Sequence, residues 1–199
     1  MKFLEKISKL RNEYPADKCG VRDNALLYGV PDITPPLAEH IIFSPMPDDV
    51  MNEMVRNYKR VFPKELLTLY RTMNGADLFC TVRMIGKKKF RIALSRFSLY
   101  GVPLTYDRKH IEPYSICVED LDRPEAIPGG WLMFGSYYRP DNLTERLDLY
   151  VDTEGSGVYA VEHENEKCSI YKTWPTVDEC LCDIFDLLTS SNRERGLMT

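Results

Sequence analysis

The chain has 199 residues, and three histidines, six cysteines and 30 acidic residues are the side chains with which it could do chemistry. His40, His110 and His163 are scattered, and His163-Glu164 lacks the second histidine of a zinc-binding HExxH helix. Cys19, Cys80, Cys117, Cys168, Cys180 and Cys182 include no CxxC pair. Two residues apart on a helix, Cys180 and Cys182 point about 200° away from each other and cannot share a metal. No GxGxxG or GxxxxGK[ST] loop is present to cradle a phosphate, and Phe134-Gly135-Ser136 is not a nucleophile elbow because GxSxG is absent. These absences predict a protein without catalysis, cofactor or metal.

Charge carries more information, because it is segregated. The net charge is −4, which does not provide the global basic field of a nucleic-acid binder. Between Leu78 and Tyr106 lie six bases (Arg83, Lys87, Lys88, Lys89, Arg91, Arg96) and no acid, whereas from Glu112 to Glu166 thirteen acids face only Arg123, Arg139 and Arg146. Three lysines without interleaved aromatics read as a soluble hairpin tip, not as a phosphate grip. An acidic surface speeds association with a basic protein and excludes wrong partners.

Aromatics crowd the same acidic half, and Tyr137-Tyr138-Arg139 runs into a turn-like Pro140-Asp141-Asn142. Tyrosine and arginine are enriched in interface hot spots. Period-two alternation from Leu147 to Asp152 places Leu147, Leu149 and Val151 on one strand face and Asp148, Tyr150 and Asp152 on the other. The candidate partner-binding residues are therefore Tyr137, Tyr138, Arg139, Asp148, Tyr150 and Asp152, with the last three forming an outward acidic and aromatic stripe.

Several elements must hold these residues. At 44% apolar and 28% charged the composition is that of a single globular domain spanning residues 1–199. Phe3, Leu4, Ile7, Leu10 and Tyr14 form a helical stripe. Pro15 to Pro45 reads as a proline-rich irregular excursion across the surface. Helices follow from Asp48 and from Phe62-Pro63, the latter stopped at Asn74-Gly75. Short strands are expected at Thr81–Ile85, Phe90–Leu94, Ser115–Val118, Trp131–Gly135, Leu147–Val151, Val158–Glu162 and Cys168–Tyr171. Thr176 to Glu179 is a capping box opening a last amphipathic helix, and Ser190 to Thr199 reads as a polar tail that frays. The fold class is α+β, an antiparallel or mixed sheet of about six strands packed by N-terminal helices and one C-terminal helix. The N-terminus has no uninterrupted apolar region like that of a signal peptide, and no run is long enough to span a bilayer. A cytoplasmic protein with reduced thiols is expected, in which the Asn142-Leu143-Thr144 sequon is a chance match.

Three patterns in series resemble the SUKH superfamily, named in part for the fungal Smi/Knr cell-wall regulators. They are Phe62 to Tyr70 closing at Met73-Asn74-Gly75, Trp131-Leu132-Met133-Phe134-Gly135, and the alternating Leu147–Asp152 strand followed by a glycine turn and Gly157-Val158-Tyr159. The resemblance covers Met46 to Leu188, leaves the excursion outside it, and carries no catalytic set. It implies a binding module similar to bacterial immunity proteins, which neutralise a cognate toxin of nuclease or deaminase type by direct contact. The alternatives are a regulatory scaffold of the same fold with a cellular protein partner, and a small hydrolase using the strand carboxylates.

Overall fold

The computed structural model describes residues 1–29, 38–58, 62–85, 90–105, 110–116, 130–142, 144–153, 157–164 and 167–194. The chain opens with helix α1 (Lys2–Glu13) and a short 3-10 turn (Ala16–Lys18). Three strands follow, β1 (Cys19–Arg22), β2 (Ala25–Tyr28) and β3 (His40–Phe43), and then helices α2 (Asp48–Tyr58) and α3 (Lys64–Thr72). Next come β4 (Ala76–Leu78), the β5 (Thr81–Ile85) and β6 (Phe90–Leu94) hairpin, β7 (Phe97–Leu99), β8 (Trp131–Tyr138), β9 (Arg146–Asp152), β10 (Val158–Glu164) and β11 (Lys167–Trp174). Helix α4 (Val177–Glu194) ends the order.

Nine strands form one sheet in the order β1-β2-β3-β4-β7-β8-β9-β10-β11, and β5 and β6 pair only with each other. Every pairing between neighbours in the sheet is antiparallel. The expected α+β class holds, but the sheet has nine strands where about six were expected.

The extra strands come from two places. Three lie at one edge, β1 to β3, and all of these fall in the excursion that its prolines make look irregular. They are four residues each, too short for a period-two signal to stand out. The others, β4 and β7, are three residues each and flank the hairpin. In turn, Ser115 makes only an isolated parallel bridge to Gly101. The lysines at 87–89 and residues 117–118 lie outside the described residues.

Buried side chains of all four helices join one large cluster with one face of the sheet, including Phe3 and Leu10 of α1, Met51 and Met54 of α2, Leu66 and Tyr70 of α3, and Leu181 and Ile184 of α4. The strands contribute Phe97, Leu99, Leu132, Phe134, Leu147 and Leu149. The helix ends are tied to one another. The Asp178 carboxylate accepts the first free backbone N–H groups of α1, from Lys2 at 2.9 Å and Phe3 at 3.0 Å. Glu65 of α3 accepts the Val177 N–H at 2.8 Å, and Thr176 Oγ accepts that of Glu179 at 3.1 Å. Orphan donors at two helix N-termini are thereby satisfied across the layer. The fraying expected from Ser190 does not occur over its first residues. Helix α4 runs on to Glu194, and its Asn192 is buried, accepting a hydrogen bond from Arg96 Nη1 at 2.6 Å.

Asn74-Gly75 does more than stop α3. Gly75 has φ +92°, a conformation L side chains rarely adopt, and turns the chain into β4. The buried Asn74 carboxamide donates to the Val102 carbonyl at 2.7 Å and accepts the Val102 N–H at 2.8 Å.

Candidate functional site

The face of the sheet opposite the helices has two small apolar clusters with no helical member. One centres on Ala25, Leu27, Ile41 and Phe43, and the other on Tyr150 and Val161, with Trp131, Met133, Tyr159 and Cys168 against it. Trp131 stacks on Tyr159 with centroids 4.3 Å apart. Also on this face is a polar row. Asp77, Ser98, Ser136 and Asp148 are direct cross-strand partners in sequence across β4, β7, β8 and β9. Each follows from alternation, because the neighbours of each on its strand (Ala76 and Leu78, Phe97 and Leu99, Tyr137, Leu147 and Leu149) point into the helix layer.

The row is hydrogen-bonded in two stretches. Ser98 Oγ donates to Asp77 Oδ1 at 2.6 Å. Burial raises the Asp77 carboxyl, against the pull of the serine hydroxyls. The Tyr100 hydroxyl donates to Ser136 Oγ at 3.2 Å and accepts from Arg146 Nη2 at 3.1 Å. Arg146 Nε donates to Asp148 Oδ1 at 2.8 Å. Burial works against the Arg146 charge, but Asp148 outweighs it and holds the guanidinium above its ordinary value. His163 Nε2 lies 3.1 Å from Asp148 Oδ2, and His163 Nδ1 lies 3.1 Å from Cys168 Sγ. A continuous chain of polar contacts therefore runs from Cys168 on β11 to Ser136 on β8.

Two hollows open on it. A basin of about 740 Å³ is lined by Arg139, Glu145, Arg146, Asp148, Glu162 and His163. A smaller hollow of about 150 Å³ is lined by hydroxyls of Ser98, Tyr100, Tyr114, Ser136 and Tyr138, and shares Arg146 with the basin. The basin rim is held in place by Arg139, which donates to Glu145 Oε2 at 2.8 Å and to Asp141 Oδ2 at 2.7 Å, with its guanidinium 5.1 Å from the Tyr171 ring.

The six expected residues fall into separate places. Tyr138 and Arg139 stand half-buried at the two hollows, and Asp148 forms part of the basin floor. Tyr137 points the other way and is 2% exposed in the helix-side core, because Leu147 is its cross-strand partner. Tyr150 shares the expected face with Asp148 but is 7% exposed, closed over by Trp131 at a centroid distance of 6.1 Å. Asp152 is half-buried at the far end of β9, paired with Trp131. The expected open acidic stripe is thus corrected. Asp148 is paired with Arg146 and lies against the His163 ring, and the aromatics of this face pack on one another.

Arg146, His163, Cys168 and Tyr100 are not among the residues expected at the site from sequence. The legible signal for two of them was the hairpin joining β10 to β11, which makes His163 and Cys168 cross-strand partners. Among the described residues, no group of three or more His, Cys, Asp or Glu side chains could hold a metal ion, and no helix is long and apolar enough to cross a membrane. No family model matches the chain, and no curated protein or solved structure is significantly similar to it.

Proposed function

We propose that the protein is a non-catalytic binding module of immunity type, which blocks a basic toxin domain by seating it on the sheet face opposite the helices. The observation that carries the reading is the polar row and its two hollows on that face, flanked by Tyr114, 62% exposed, and Ile170, 57% exposed. Exposed apolar side chains around pre-ordered polar groups suit a protein partner, because little conformational entropy is lost on docking. Glu162 at the rim offers a carboxylate to basic side chains, while Arg139 and Arg146, held by Asp141, Glu145 and Asp148, fix register. Two of the three basin carboxylates are engaged in ion pairs, Asp148 with Arg146 and Glu145 with Arg139, which favours a binding role over hydrolysis.

The test is growth. The coding region adjacent to this chain is expressed alone and together with it; immunity predicts arrest alone and relief on co-expression. Relief that survives Tyr114→Ala combined with Glu162→Lys would remove this face from the account. An adjacent product that does not arrest growth would leave the scaffold reading in its place.

A further inference from the structure

Cys168, His163 and Asp148 stand in an order that the binding function does not use. The Asp148 carboxylate, paired with Arg146, only accepts hydrogen bonds, so the proton of a neutral His163 sits on Nε2 and points at Oδ2, 3.1 Å away. Nδ1 is left as an acceptor, and it faces Cys168 Sγ at 3.1 Å. A thiol, a base within hydrogen-bond reach and a third group orienting the base make up the arrangement of an activated nucleophile.

The other described thiols differ. Cys80 and Cys180 are buried, Cys19 Sγ hydrogen-bonds to the backbone carbonyls of Tyr14 and Pro15, and the half-buried Cys182 of α4 lies among the charges of Asp178, Asp186, Lys6 and Lys2 with no histidine beside it. Cys168 and His163 are both partly exposed, and the imidazole lines the 740 Å³ basin.

We propose that Cys168 is a base-assisted nucleophilic thiol, with His163 as its base and Asp148 as the orienting group, that forms mixed disulfides with small neutral disulfides. In the step, His163 Nδ1 takes the thiol proton as Sγ attacks one sulfur of the disulfide. The new S–S bond forms as the old one breaks, and the expelled thiolate takes the proton from the imidazolium. Cys168 is oxidised to the mixed disulfide, and half of the reagent is reduced to a free thiol.

A neutral reagent fits because the basin holds Arg139 and Arg146 against Glu145, Asp148 and Glu162, and so offers no single-signed field. Cys168 packs against the small apolar cluster of Tyr150 and Val161, which gives an aromatic reagent a surface. Burial and the Asp148 charge both raise the thiol, so the resting group is S–H and the base acts during attack, not beforehand. Among the described residues, the charged and titratable groups facing the pair are Asp148 and Arg146 from β9 and Glu162 from β10, with Tyr150 and Tyr159 in the same cluster.

The site does not depend on the partner proposed above. The test is the reaction of the whole folded chain with dithiodipyridine, followed by thiopyridone release and by mass mapping after sub-stoichiometric exposure. Cys168 is expected to carry the first label, and Cys168→Ser to remove the fastest phase. At about pH 7 His163→Gln should slow that phase about tenfold or more. First labelling at Cys19, Cys117 or Cys182, or a Cys168 rate unchanged by His163→Gln, would overturn the assignment.

Discussion

The two faces of strand β9 are both closed to solvent, yet they are closed by different means. Leu147, Leu149 and Val151 are buried under the helices in one continuous hydrocarbon core. One residue over, Asp148 is 9% exposed among Arg146, His163 and Ser136, and Tyr150 is covered by Trp131. Alternation fixes which face a residue takes, but not whether that face meets water, a helix or its own neighbours. Burial on the helix side is a consequence of layer packing. Burial on the other side is assembled from ion pairs and ring stacking, which a partner or solvent can reach at the edges.

That contrast sets the order of expected effects. Leu149→Ala, at 0% exposure in the core, should lower the unfolding free energy by about 2–5 kcal/mol in a urea melt. Asp148→Ala, which strips the acceptor from Arg146 and His163, should cost less, about 1–3 kcal/mol. If the two costs came out reversed, the polar row and not the helix layer would be holding the sheet.

The faces also differ in the sign of their pH response. His40, on the helix side of β3, accepts the Phe79 N–H at Nδ1, so Nε2–H donates to the Tyr14 hydroxyl at 3.0 Å. Burial takes its pKa down to about 3 and keeps it neutral, although Glu39 Oε1 lies 3.9 Å away. Because the folded value lies below the unfolded one, this contribution is fully present above about pH 6.5 and is lost as pH falls toward 3, by up to about 1.4 kcal/mol per pH unit. Asp77, on the opposite face, is raised by burial, so its contribution is largest in acid and declines as pH rises through its folded value. Thermal melts across acid pH should therefore show Asp77→Asn flattening the decline on the alkaline side, with neutral-pH stability equal to or above that of the unaltered chain. A loss of neutral-pH stability in Asp77→Asn would mean that the ionised carboxylate is the stabilising form.

Much of the helix layer was legible, and the reasons are local. The stripe of Phe3, Ile7 and Leu10, the Asp48 start and the Thr176 cap each arise within one turn of helix, and each element formed where its pattern lay. The sheet was legible where strands were long, as at Leu147 to Val151, and illegible where three or four residues become strands because neighbours complete them, as at β1 to β4 and β7. The candidate site suffered for the same reason. Tyr138, Arg139 and Asp148 could be found from residue type, but the polar row exists only through the register of four strands, and His163 meets Asp148 across a strand pair. Composition marked the acidic half of the chain without indicating that Arg146 would neutralise its central carboxylate.

The smallest stability effect should come from the proposed contact residues themselves. Tyr114→Ala, at 62% exposure, should shift the unfolding free energy by no more than about 0.5 kcal/mol. A larger loss would mean that Tyr114, whose ring centroid lies 6.0 Å from that of Tyr100, braces the hollow and not a partner.

The central claim is that the face opposite the helices is the working face, and site-specific photo-crosslinking tests it most directly. A photoreactive residue is placed at Tyr138 beside the hydroxyl-lined hollow or at Glu179 on the exposed side of α4, and each chain is irradiated with the product of its adjacent coding region. The account predicts a covalent complex from position 138 and none from position 179; a complex from 179 alone would contradict it.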